Sequence, residues 1–416
     1  MTITIFKMLK KTFLACLLLF SIYLLWVNIN LYSYEFDRTE KTKDTRLQLN
    51  FLSKELKSNN LGARMQSIFP EGFVFTNALY GLAWCELGLA DTSQATKDIA
   101  LKEALFAYDE INSSEAKAIF SKSLVPEHGI CYVGWNNYLL SKILLLDTAF
   151  DTSKKYLNIY NKQCEVITSA LQNAKSPFLE SYETQSWPAD MCVAMASLSN
   201  YDRIFTPKYQ PIISDWIAKV KAKLDPATKL VPHRTAHENG ETIEGARGCS
   251  ISLILRLLSE VDAAFAREQY GIYKKLFVST TFGLPSINEY PKGKSGFGDI
   301  DSGPVIFGAG FAGTIVSIGT FSVFGDNSLS NNQFKAVSTF GMSYESDVSK
   351  KYVFGLLPIA DAFIAWSRAS GLDKVENNSA NSENWRLKFH GFSVLLITFI
   401  VAMYYNKRII KSLKKS

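Results

Sequence analysis

The chain has 416 residues, of which 47% are hydrophobic and 20% charged, with a formal net charge of +6. That length suits one large repetitive domain or two to three smaller ones, and the composition excludes long disorder. Eight of the positive charges lie in the two tails (Lys7, Lys10, Lys11; Lys407, Arg408, Lys411, Lys414, Lys415), so the middle is slightly acidic and no nucleic-acid partner is expected.

Those tails flank the two most apolar runs, Phe13–Val27 and Gly391–Tyr405. Each is near the lower length limit for crossing a bilayer, with aromatic residues at its ends and basic residues beyond. A basic start and an apolar core also fit a signal peptide, but Asn28–Glu35 offers no small-x-small cleavage site. The expected organisation is a basic cytoplasmic tail (1–12), a transmembrane helix (13–34), an extracytoplasmic domain (35–387), a second transmembrane helix (388–405) and a second basic tail (406–416). Positive charge outside both spans places both termini in the cytoplasm and the bulk of the chain on the periplasmic or outer side. Cys16 falls in the first run; Cys85, Cys131, Cys164, Cys192 and Cys249 form no CxxC and read as buried small hydrophobes.

The polar stretch Glu35–Arg46 reads as a short stalk or the first turns of a surface helix, and Leu47–Leu56 has helical spacing. The turn Pro70–Gly72 then feeds a long, mostly apolar helix to Leu89. Further helices are predicted at about 95–110, 132–148, 153–173, 187–199, 208–223, 243–260, 262–278, 303–324 and 354–369, with alternating β-type runs nearly absent. The breaks carry Pro, Gly and Asp, as at Pro126–Gly129, Asp225-Pro226 and Pro291–Gly293. Several helices are apolar on more than one face and so are buried on both sides. Eleven or twelve such helices, joined by loops holding Gly, Trp, Tyr and acids, predict an all-α fold of (α/α)6-toroid type.

Five segments can carry chemistry. Gly296–Gly308, GFGDIDSGPVIFG, packs Asp299 and Asp301 into a glycine-rich turn before an apolar helix. Ser302 or Asp301 can cap that helix, yet one cap needs one oxygen, and glycine admits a ligand closely. Pro126–Asn137 brings His128, Tyr132, Trp135 and Asn136 together; Tyr182–Asp190, YETQSWPAD, runs Trp187 and Asp190 into a helix start with Ser186 as a cap. Val231–Arg234 supplies His233, and Glu244–Ser250, EGARGCS, supplies Arg247 between small residues. Asp190, Asp299 and Asp301 are the candidate acid/base groups, because carboxyls in different environments split those roles. Arg247 can fork onto a carboxylate, His233 can orient, and Tyr132, Trp135 and Trp187 can offer stacking faces. No P-loop, Rossmann fingerprint, HExxH, GxSxG, EF-hand or zinc framework is present, so neither cofactor nor metal is expected.

With YETQSWPAD before an apolar helix and GDIDSGP at a late helix start, the chain resembles, in general form, the (α/α)6 toroid superfamily. The resemblance implies the company of glycoside hydrolases, unsaturated-glucuronyl hydrolases, polysaccharide lyases and linalool dehydratase/isomerase, and it transfers no catalytic residue. Three functions stay open at this point: a membrane-anchored enzyme acting on a glycan, a lipid-linked substrate or a related envelope molecule, a terpene or lipid hydratase/isomerase on the same scaffold, or a non-catalytic envelope scaffold.

Overall fold

The computed structural model describes residues 2–31, 38–91, 93–372 and 385–413. The first residues of the expected middle domain, 35–37, and the end of the last tail, 414–416, lie outside them. Helices dominate. In chain order they are α1 (Thr2–Asn30), α2 (Arg38–Ser58), α3 (Leu61–Gln66), α4 (Gly72–Ala90), α5 (Gln94–Ile111) and α6 (Ser114–Lys117). There follow α7 (Gly129–Leu146), α8 (Lys155–Asn173), α9 (Pro188–Ile204), α10 (Gln210–Lys221) and α11 (Gly248–Val261). The last are α12 (Ala263–Leu276), α13 (Phe311–Val323), α14 (Asn327–Phe340), α15 (Pro358–Ala369) and α16 (Trp385–Leu413).

Six of these close a ring: α4 packs on α7, α7 on α9, α9 on α11, α11 on α13, α13 on α15, and α15 back on α4. An outer layer of α2, α5, α8, α10, α12 and α14 packs against them, each joined in sequence to an inner helix. The chemistry of the two layers differs as burial requires. Inner α4 and α7 are covered on nearly every face, and their sequences are apolar all round. Outer α8 buries one stripe, Tyr160, Cys164, Ile167, Thr168, Ala170 and Leu171, and leaves charge outside. Where α11 and α13 cross, glycines set the spacing, since a Cβ on Gly313 would lie 2.8 Å from the Gly248 carbonyl carbon.

The ring has two unlike ends. Starts of successive inner helices meet at one of them, where the Ile130 N–H donates to the Glu180 carbonyl (2.8 Å), Thr235 to Ser186 (3.1 Å) and Gly248 to Glu289 (2.8 Å). Deeper, the interior is filled by Trp135 and Trp366 (6.2 Å between centroids) and by a buried ion network in which Lys142 pairs with Glu260 at 2.9 Å. Short antiparallel hairpins decorate the fold, among them 234–244, 278–287 and 305–310.

Several sequence expectations need correction. Of the two readings of the stretch after residue 37, the surface helix holds and the stalk does not: α2 lies in the outer layer, with Asp44 fully buried against Lys350 at 2.6 Å. The predicted helix at 303–324 starts only at Phe311, because Val305–Gly310 folds back as a hairpin through Gly308 at φ +87°. Helix α14 was not expected at all. The five middle cysteines are buried and free, matching the small-hydrophobe reading. Among the described residues, three helices are long and apolar enough to cross a membrane: Lys11–Asn30, Gly72–Ala90 and Trp385–Tyr405. The second is 78% buried inside the ring, which accounts for its apolarity, whereas the first and third are each 17% buried.

Candidate active site

The site is built where the inner helices begin. Arg247 is the N-cap residue of α11, held extended after the 234–244 hairpin, and its side chain is 2% exposed. Its Nε donates to Glu289 Oε1 at 2.8 Å, and Glu289 is wholly buried. Glu289 also accepts from the Cys249 N–H (3.2 Å) and Sγ (3.0 Å). Burial works to raise the Glu289 pKa and prevails over these bonds. On its open side the guanidinium donates to both oxygens of Asp299, through Nη1 to Oδ2 and through Nη2 to Oδ1 at 3.0 Å. Nη1 also reaches Glu244 Oε1 at 3.2 Å. This is the forked geometry that arginine alone supplies.

Asp299 does not cap α13, and neither does Asp301. Asp299 Oδ1 accepts the backbone N–H groups of Asp301 and Ser302, both at 3.1 Å, closing a local side-chain turn. Ser302 Oγ in turn accepts the Asp299 N–H at 2.9 Å. Partial burial works to raise the Asp299 pKa, but the Arg247 bonds outweigh it and hold the carboxyl below its ordinary range. Asp301, two residues on, has no such grip. It is open to solvent yet set down among the surrounding loops, and that desolvation, with the charges of Glu71 and Asp299, pushes it up to about 6.

His233 lies beside Arg247, whose Nη1 stands 3.5 Å from His233 Nε2. Burial and the adjacent guanidinium push the imidazole down to about 3, so it is neutral. Asp190 occupies the first turn of α9, is 8% exposed, and accepts the Ser181 hydroxyl at 2.6 Å. Burial raises it to about 7 against that hydrogen bond, with help from the charges of Glu71 and Asp301. The N-cap of α9 is Trp187 rather than Ser186, whose hydroxyl makes no hydrogen bond. Pro188 does take the first-turn position.

Five expected residues thus share one region: Asp190, His233, Arg247, Asp299 and Asp301. Half-buried Trp187 stands beside them, edge-on to Tyr182 at 5.6 Å. Tyr132 and Trp135 are buried beneath that region, and the Trp135 side chain stands against the Asp190 carboxyl from the interior and works to lower its pKa. Trp135 has no exposed surface and packs edge-on to Phe75 at 5.2 Å; Tyr132 is 5% exposed and donates its hydroxyl to Asn112 at 3.2 Å. Neither offers a free face for stacking, because the helix that carries them is covered on both sides. Glu71, immediately before α4, and Glu289 were missed. Glu71 accepts the Tyr182 hydroxyl at 3.1 Å and is the charge that couples to both Asp190 and Asp301.

His233, Asp299 and Asp301 each place one ligand atom within 4.8 Å of the others, a set able to receive a cation. Arg247 already fills that role, since it holds both oxygens of Asp299 and faces His233 Nε2. In a second such set, Glu40, Asp44 and Glu345, Lys350 takes the same part at 2.6 Å from Asp44 and 3.4 Å from Glu345.

No family model matches the chain. No curated protein matches it either. Among solved structures it is similar to the GH76 α-mannanase of Bacteroides thetaiotaomicron, studied as a selenomethionine derivative. The two are 10% identical, the match covers 72% of this chain and 86% of the other, and the TM-score is 0.43. The two-layered ring described above rests on its own helix contacts.

Proposed function

We propose that this protein is a membrane-anchored enzyme of the (α/α)6 toroid type that acts on a glycan or related envelope molecule by carboxylate acid/base chemistry. The observation that carries it is the splitting of two carboxyls two residues apart. Arg247 keeps Asp299 ionised, while Asp301 is raised to about 6 and stays open to solvent. That is the pattern of a base or electrostatic group beside an acid. Asp190 is the second protonatable carboxyl, at the buried side of the same region. His233 and Arg247 orient the pair, and Trp187 with Tyr182 supplies the aromatic wall. The polar lining favours a hydroxyl-rich substrate over a terpene-like one. Helices α1 and α16 are the two anchors in this reading, with the ring on the extracytoplasmic side and both termini in the cytoplasm.

The test is turnover by the purified full-length protein on a panel of end-labelled envelope oligosaccharides, with D301N, D299N and D190N beside it. A folded D301N that loses at least about a hundredfold in rate supports the assignment. A folded parent protein that turns over nothing in the panel, or three variants as active as the parent, would overturn it.

A further inference from the structure

The two terminal helices pair with each other and meet the ring near the end where the inner helices begin. Leu24, Val27 and Leu31 of α1 pack with Trp385 and Phe389 of α16. The Tyr23 hydroxyl donates to the carbonyl of Phe340, the last residue of α14, at 3.1 Å. Phe389 stands edge-on to the Phe340 ring at 5.9 Å, and Phe392 stacks on Phe282 at 4.4 Å. Phe282 is the tip of the 278–287 hairpin and meets Phe307, the tip of the 305–310 hairpin, at 4.8 Å. The second hairpin leads straight into the site, because the Gly308 carbonyl accepts the N–H of Glu289, which holds Arg247.

That end of the ring also exposes large apolar side chains. Phe297 and Ile300 flank the Asp299 turn; Phe307 is 76% exposed; Phe354 and Leu356, just before α15, are 63% and 73% exposed. A water-facing catalytic mouth has no use for such a rim, and aromatic and aliphatic side chains of this kind gather at bilayer interfaces. The rim is continuous, through Phe282 and Phe392, with a helix whose outward half is itself exposed and apolar. The occupant that fits both the rim and the helices is one lipid surface.

We propose that the site-bearing end of the ring rests on the bilayer that holds α1 and α16, so that the site takes a glycan carried on a lipid. The substrate part of this inference rests on the catalytic reading above; the seating on the membrane does not. In a Cys16→Ser background, Phe307→Cys, Phe354→Cys and Leu356→Cys would be labelled with an environment-sensitive fluorophore, as would Ser153→Cys in the loop after α7. The full chain would then be placed in phosphatidylcholine vesicles with and without chain-brominated lipid. Blue-shifted emission, quenched by bromine at the three rim positions and not at 153, is the expected result. Water-like emission at all three rim positions overturns the seating. For the substrate, one oligosaccharide from the panel is offered free and as its phosphatidylethanolamine conjugate. The triple variant Phe307→Ser, Phe354→Ser, Leu356→Ser should lose tenfold or more on the conjugate and stay within twofold on the free sugar. Equal loss on both overturns the lipid-borne substrate. A parent protein inactive on both forms sinks the catalytic reading instead, and the fluorescence result stands apart from it.

Discussion

Arg247 grips Asp299 at two points while being 2% exposed itself, and Asp299 is 43% exposed. The pair therefore joins a buried cation to an accessible carboxylate, and Glu289 balances the cation from behind. Replacing Arg247 with methionine strands the Glu289 charge in the interior. Arg247→Met should cost roughly 3–5 kcal/mol in denaturant unfolding. Adding Glu289→Leu should recover much of that loss, because no charge is then buried alone. A single variant as stable as the parent would remove the anchoring role.

Asp190 gives a stability signature with a defined sign. Its folded pKa of about 7 lies above the ordinary aspartate value of 3.8, so the folded protein binds the proton more tightly. Stability from this group is full at low pH and is lost as pH rises from about 4 through about 7. Asp190→Asn keeps an oxygen for Ser181 but removes the charge. It should match the parent near pH 4 and exceed it above pH 7, by roughly 1–3 kcal/mol at pH 8. Equal stability at both pH values would show that Asp190 is not held protonated.

For turnover, Asp301 as acid sets an alkaline limb near pH 6, with rate falling as the carboxyl ionises. Glu71 is the charge that most raises Asp301 after desolvation itself. Glu71→Gln should therefore move the alkaline limb to lower pH while the enzyme stays active, read from the pH profile of kcat/KM. A limb that does not move would place Glu71 outside the electrostatics of the site.

In the outer layer, Asp44 ties α2 to the rest of the fold. It has no exposed side-chain surface, and Lys350 Nζ and Arg368 Nη2 stand 2.6 and 3.7 Å from its oxygens. Asp44→Asn leaves two buried cations facing a neutral amide. The expected loss is about 3–5 kcal/mol, measured by thermal or denaturant unfolding. Lys43→Ala, whose exposed ion pair with Glu345 is screened by water, should leave the unfolding transition where it is in the parent.

The ring was legible because its helices carry the burial pattern that a two-layered shell demands, apolar all round inside and striped outside. Asp299, Asp301, Arg247 and His233 were legible as residues because they stand in glycine-rich or proline-marked breaks, where chemistry and turns both gather. Their partners were less so. Glu289 comes 42 residues after Arg247, and nothing local marks an acid that is buried by a distant cation. Glu71 sat in a recognised turn, and an acid opening an inner helix was the available signal. Helix α14, NSLSNNQFKAVSTF, is rich in Asn and Ser, which favour caps and turns, and only tertiary packing of Phe334 and its neighbours makes it helical. The apolar small-residue run at 303–310 misled in the other direction, since left-handed Phe307 and Gly308 turn it back as a hairpin.

The seam between α4 and α15 joins the first and last members of the inner ring. Until α15 has been made, the growing chain is an open crescent whose exposed edge is α4, with Phe75 awaiting Phe363 of α15. Closing it brings together segments nearly the whole length of the fold apart, a non-local step of the slow kind. Loss of the chain from Pro358 onward would thus remove more than one helix of six: it would leave the barrel without its keystone and expose an apolar edge as long as a membrane span.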